Sequence, residues 1–146
     1  MTVTVAFASD HAGYALKQEL IAFLSELKGN FSALDLGTHD SVTSVDYPDY
    51  GDAAARSIQE KKADFAVVVC GSGVGISIAA NRHAGVRAAL CHHGLIAKLA
   101  RQHNDANVLA LGARMIGVEV AKDCLLAFLT TPFEGGRHEK RMKNLG

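Results

Sequence analysis

The sequence predicts an α/β fold: a three-layer α/β/α, Rossmann-like domain on a five-stranded parallel sheet. Three observations carry that expectation. Short apolar runs alternate with stretches of helical periodicity along the whole chain. The clearest run, Phe65-Ala66-Val67-Val68-Val69-Cys70, is apolar at every position, as a strand covered on both faces must be. It passes directly into a glycine-rich turn, Gly71-Ser72-Gly73-Val74-Gly75, and then into a helical pattern. Strands that alternate with helices pair in parallel, with helices on both faces.

The elements follow in order. Residues 3–8 form a short apolar run, read as the first strand. Residues 13–28 read as a helix, with Leu16, Leu20, Leu24 and Leu27 at helical spacing. Residues 33–36 read as a second strand, closed by Gly37, and residues 38–48 as a loop rich in Ser, Thr and Asp. A helix is expected over 49–62, the strand described above over 65–70, and a helix from the glycine-rich turn to about Asn81. Residues 86–90 read as the fourth strand, followed by a helix to about His103, and residues 107–111 as the fifth. The last helix, 118–129, carries Val120, Cys124, Leu125 and Phe128 on one stripe.

The chain has 146 residues, the size of one domain, with no repeat, linker or low-complexity stretch. Fifteen basic residues balance fifteen acidic ones, so no overall field favours nucleic acid or an anionic membrane. No apolar run is long enough to span a bilayer, and the first residues lack the pattern of a secretory signal. Cys70, Cys91 and Cys124 are an odd number without C-x-x-C spacing. A disulfide framework is not expected, and a cytoplasmic setting with reduced thiols is.

In open parallel sheets, ligands sit beyond the carboxyl ends of the strands. Ser9-Asp10-His11, Cys70 to Gly75, Cys91-His92-His93 and Gly112 to Arg114 all follow strands. Glycines at alternate positions let backbone N–H groups converge on one spot, with a helix N-terminus behind them: an anion site. Cys70 stands just before this turn, where a thiol is shifted toward thiolate and can act as base or nucleophile. Cys91 and Cys124 read instead as small buried hydrophobes. The pattern G-x-G-x-G, with Ile76 in sixth place and no acidic residue ending the next strand, argues against a dinucleotide.

Other constellations leave two readings open. Asp10 either caps the first helix or faces the same crevice as Cys70. His103, in Arg101-Gln102-His103-Asn104-Asp105, is either an idle loop histidine or a proton carrier. Arg137 and Arg141 share a face if their segment is helical, and belong either to a phosphate site or to a solvated basic tail. The tail has no aromatic interleaving of the kind that nucleic-acid binding uses. Adjacent residues such as His92 and His93 converge poorly on one ion, so no metal site is expected.

Five segments in this order resemble the ribose-5-phosphate isomerase B family, grouped with the galactose-6-phosphate and allose-6-phosphate isomerases. They are residues 8–13 (ASDHAG), 46–50 (DYPDY), 70–81 (CGSGVGISIAAN), 101–107 (RQHNDAN) and 134–138 (EGGRH). The resemblance spans nearly the whole chain. It implies an aldose–ketose isomerase acting on ribose 5-phosphate and ribulose 5-phosphate through a cis-enediol(ate), with no metal or organic cofactor. By this resemblance Cys70 is the base, His103 helps open the sugar ring, and Asp10 lies near the reacting oxygens with the Ser72 hydroxyl. Gly71, Ser72, Gly73, Val74 and Gly75 hold the enediolate; His11, Arg137 and Arg141 contact phosphate; Arg114 and Asn104 make further substrate contacts; Tyr47 lines the pocket. It also implies a homodimer, with a tetramer left open, whose active sites lie at the interface and receive residues from the segment at about 132–146. Ser72 stands where many relatives carry Thr. A branch of the family uses a glutamate base a few residues after the cysteine position, but residues 74–77 hold no Glu, so this chain resembles the cysteine branch.

Two alternatives stay open on sequence: a six-carbon aldose 6-phosphate as substrate, and a non-catalytic phosphosugar-binding module. A thiol-redox role lacks a resolving cysteine.

Overall fold

A computed structural model describes all residues, 1–146. The strands are β1 (Val3–Ser9), β2 (Phe31–Asp35), β3 (Phe65–Cys70), β4 (Ala88–Leu90) and β5 (Val108–Gly112). The helices are α1 (Tyr14–Glu26), α2 (Tyr47–Gln59), α3 (Val74–Asn81), α4 (Gly94–Asn104), α5 (Val118–Thr130) and α6 (Arg137–Lys143). The sheet is wholly parallel, in the order β2-β1-β3-β5-β4. The three-layer α/β/α arrangement expected from the sequence is therefore present.

Alternation along the buried strands divides the core in two. Val5, Phe7, Val67, Val69, Leu109 and Leu111 face one side, where they meet Leu16, Leu20 and Leu24 of α1, Ala97 and Ala100 of α4, and Cys124 and Phe128 of α5. Ala6, Ala8, Ala66, Val68 and Ala110 face the other, against Ala54 and Ala55 of α2 and Ile76 and Ala80 of α3. Small alanines on that second face let α2 and α3 lie close to the sheet. Lys17 is fully buried and ends on Asp35 of β2, which ties α1 to the sheet edge.

Some boundaries depart from expectation, each for a local reason. Helix α2 begins at Tyr47 because Pro48 sits in its first turn, where a missing N–H costs nothing. β2 starts two residues and ends one residue earlier than expected, paired in register with Val3 to Phe7. β4 keeps only three residues at the sheet edge. On α5 the buried stripe is Ala121, Cys124, Leu125 and Phe128; Val120 points outward, 38% exposed. Residues 137–143, for which the sequence predicts no helix outright, form α6, which packs against α4.

From the centre, the chain runs from β1 outward to β2 and from β3 outward past β5 to β4. The sheet thus reverses its winding between β1 and β3, leaving a crevice at their carboxyl ends. No helix is long and apolar enough to cross a membrane.

Candidate active site

At that crevice lies an open cleft of about 500 Å³, lined by Asp10, Tyr47, Cys70, Gly71, Ser72, Val74, Gly75, Ile78 and Arg114. Its centre is Cys70, the last residue of β3, only 4% exposed. The Cys70 Sγ accepts the Gly73 backbone N–H at 3.2 Å. A thiol held this way, at the N-terminus of a helix, has a donor in place for the negative charge of its thiolate.

The turn depends on glycine at particular points. Gly73 has φ 79°, a left-handed conformation that side chains rarely adopt. A Cβ there would also lie 2.6 Å from Leu90 Cδ1 and 2.8 Å from the Leu111 carbonyl carbon. Gly75 leaves the space into which the Tyr47 ring fits, since a Cβ there would lie 2.5 Å from that ring. The Val74 N–H is held by Ser72 Oγ at 3.1 Å. The Arg114 N–H donates to the Gly71 carbonyl at 2.9 Å, which keeps the exposed Arg114 beside the turn.

Asp10 is buried, 7% exposed, and its Oδ1 accepts the Gly13 N–H at 3.0 Å. It fixes the turn before α1 but is not the N-cap, a position held by Gly13. Both open readings of Asp10 are thus partly met: one oxygen serves the turn, and the residue lines the cleft. His11 accepts the Val45 N–H at Nδ1 (3.2 Å), so its other nitrogen carries the proton, and it pins the loop before α2.

The remaining site candidates lie at the other end of the sheet. His103 and Asn104 close α4, just before β5 begins, whereas Cys70 pairs with Gly112, where β5 ends. β5 spans five residues, so roughly 15 Å of strand separates the two ends. Asn104 lines a second cleft with Asn81, Arg87 and Leu145. Arg137 and Arg141 are exposed on α6 and form no ion pair within the chain. Within one chain, then, the structure groups Asp10, Tyr47, Ser72, Arg114 and the glycine-rich turn around Cys70. His103, Asn104, Arg137 and Arg141 are kept apart from them.

Two residues carried no role in the sequence reading. Ile78, one turn after Val74, adds an exposed apolar wall to the cleft. His138 is buried and its ring stacks on His103, with centroids 4.3 Å apart and planes at 15°. Burial lowers its pKa, and Arg137 and His103 beside it act in the same direction. Its position next to Arg137 was the available signal: on a helix, adjacent residues face different ways, so an outward Arg137 leaves His138 turned toward α4. His92 and His93 are exposed, and His93 caps α4 by accepting the Ile96 N–H. Arg101 is structural: it reaches the Ala106 and Thr131 carbonyls and lies over the Phe65 ring. Cys91 and Cys124 lie in the core, and burial pushes their thiols up to about 12 and about 11.

The fold and the glycine-rich turn at the switch point fit one family: residues 5–145 match the Ribose/Galactose Isomerase family, of which this chain is a member. It is an isomerase. Among curated relatives, ribose-5-phosphate isomerase B of Escherichia coli is 45% identical over 139 residues, covering 95% of this chain and 91% of that one. A ribose 5-phosphate isomerase structure from Thermotoga maritima superposes with TM-score 0.93 at 48% identity, covering 98% of this chain and 97% of its own. The type B ribose 5-phosphate isomerase of Trypanosoma brucei gives TM-score 0.96 at 42% identity, covering 99% and 97%.

Proposed function

We propose that this chain interconverts ribose 5-phosphate and ribulose 5-phosphate, with Cys70 as the base that moves the proton between carbons 2 and 1. The observation that carries the reading is the Cys70 Sγ, 3.2 Å from the Gly73 N–H in a cleft that also holds Asp10, Ser72 and Arg114. The E. coli, T. maritima and T. brucei relatives, all named as ribose-5-phosphate isomerases, point to the same substrate.

The chemistry follows from the groups at hand. His103 shuttles a proton in ring opening: the ring oxygen gains one while the carbon 1 hydroxyl gives up its own, and the ring opens to the aldehyde. The carbonyl acidifies the C–H at carbon 2. The Cys70 thiolate takes that proton, and the electron pair moves to give an enediolate. Free N–H groups of the glycine-rich turn stabilise its oxyanion. Asp10 and Ser72 move a proton between the two oxygens, and Cys70 returns its proton to carbon 1 to form the ketose. Exposed, unpaired Arg137 and Arg141 suit a phosphate at the far end of the substrate, and His11 a phosphate oxygen. Binding at that end orients the reacting carbons. No step calls for a metal or an organic cofactor.

His103 and Cys70 lie at opposite ends of one chain's sheet, so a working site needs a second copy to supply the missing half. We therefore read the protein as a homodimer with its sites at the interface, and the segment at about 132–146 as the arm that serves the partner. Val74 and Ile78, 48% and 55% exposed beside the cleft, offer the apolar contact such a partner would cover. Three free, buried cysteines accord with a reducing, cytoplasmic setting.

The test is ribulose 5-phosphate formation from ribose 5-phosphate by purified protein in the presence of EDTA. Turnover is expected. No turnover from folded, dimeric protein would overturn the five-carbon assignment and direct the same assay to allose 6-phosphate and galactose 6-phosphate.

A further inference from the structure

His103 and His138 have a third neighbour. Glu134, in the strap between α5 and α6, brings its Oε1 to 3.3 Å from His138 Nε2. One ligand atom from each of the three lies within 4.8 Å of the other two. The His138 Nε2 is buried and has no hydrogen-bond partner, because Glu134 stands near it but out of line. A buried nitrogen lone pair or N–H left unmatched is costly in a native fold, and a water, an ion or a neighbouring group must meet it.

We infer that His103, Glu134 and His138 form a capture site for a divalent transition cation of the zinc class, and that the captured cation inhibits the isomerase. Two imidazoles and one carboxylate are a donor set that zinc accepts, with a fourth position open to water. A metal about 2.1 Å from each donor requires donors about 3.4 Å apart. Glu134 and His138, 3.3 Å apart, already meet that spacing, and His103, within 4.8 Å of both, has at most about 1.4 Å to close. The three donors come from anchored elements: the end of α4, a strap whose Glu134 N–H donates to the Gln102 carbonyl at 3.1 Å, and the first turn of α6. His92 and His93, exposed and with no third donor grouped with them, have no such arrangement. The consequence for turnover rests on the ring-opening role proposed for His103. A metal-bound imidazole has lost the lone pair that carries a proton, so the cyclic substrate would not open.

The experiment is a Co²⁺ titration of the metal-free protein followed by visible absorption, repeated with Zn²⁺ as competitor. One Co²⁺ per chain with the intense bands of a low-coordinate site is expected, displaced by Zn²⁺. His138→Gln and Glu134→Gln should each weaken binding at least about tenfold, while His92→Ala/His93→Ala should bind as the unaltered protein does. Circular dichroism of each variant checks that it is folded. In parallel, Zn²⁺ should inhibit isomerisation reversibly with EDTA, and Glu134→Gln should lose that sensitivity. Unchanged Co²⁺ binding in folded His138→Gln and Glu134→Gln would overturn the site, as would binding lost in Cys70→Ala and kept in those two variants. The spectrum does not depend on turnover. Metal binding without isomerisation would count against the proposed activity alone, and isomerisation without metal binding against this site alone.

Discussion

The two ends of the sheet hold their chemical groups by different means. At the carboxyl end, the geometry is written in the backbone: Gly73 in a left-handed conformation, an N–H aimed at Cys70, and Tyr47 seated where Gly75 has no side chain. At the amino end, side chains do the holding: His103 rests on His138, and Arg137 and Arg141 stand unpaired in solvent. Backbone cradles suit a reacting centre, where donors must already be in position as charge develops. Long, exposed arginines suit a phosphate, which they can meet and grip from a distance. The lesson is that the two ends are built by different means, and that within one chain the sheet keeps His103, Arg137 and Arg141 apart from Cys70.

Substitutions can break that division, and the largest effect belongs to the carboxyl end. Cys70→Ala should lower kcat by at least about 10³-fold if Cys70 is the base proposed here, because the proton-moving group is then gone. Turnover within tenfold of the unaltered enzyme would remove Cys70 from the role of base. Mixing inactive Cys70→Ala with inactive His103→Ala under conditions that exchange subunits sharpens the comparison. If each site takes Cys70 from one copy and His103 from another, mixed dimers hold one intact site, and random exchange restores about a quarter of full activity. No recovery after proven exchange would mean that both residues serve the same chain.

A smaller, selective effect is expected at the amino end. Arg137→Ala should raise KM about tenfold with kcat changed far less, since phosphate binding acts in ground and transition states alike. An unchanged KM would remove Arg137 from the phosphate site. The smallest effect concerns the silent thiols. Burial pushes the Cys91 and Cys124 thiols up to about 12 and about 11 in the folded chain, against about 8.5 unfolded. The folded state then binds more protons than the unfolded one across that interval, so stability present below about pH 8.5 declines as pH rises toward 11 to 12. Denaturant midpoints at pH 7 and pH 10 check the sign. Iodoacetamide at pH 8 should label Cys70 and spare both core thiols until the chain unfolds.

Much of this was legible in the sequence, for reasons that separate its parts. β3 was read at its observed limits because an unbroken apolar run ending at a glycine-rich turn has few other solutions. The rule that ligands sit beyond strand carboxyl ends points to Asp10, Cys70 and Arg114, the family resemblance adds Tyr47, and all four line the cleft. What the sequence left obscure lies where tertiary contact decides. Val120 satisfied the helical spacing but faces outward, because packing against the sheet and α4 selects Ala121 and Cys124 instead. α6 is too short to announce itself by periodicity and gains its order by docking on α4. The His103–His138 stack joins residues 35 positions apart through that docking, and no local pattern encodes it.

The roughly 15 Å of strand between the ends of β5 also bears on dilution. On the shared-site reading proposed above, a chain that holds Cys70 and His103 so far apart is silent alone, and rate should follow the population of pairs rather than of chains. Well below the dissociation constant of the pair, halving the protein would cut the observed rate about fourfold instead of twofold. Catalysis in such a molecule reports on its own assembly.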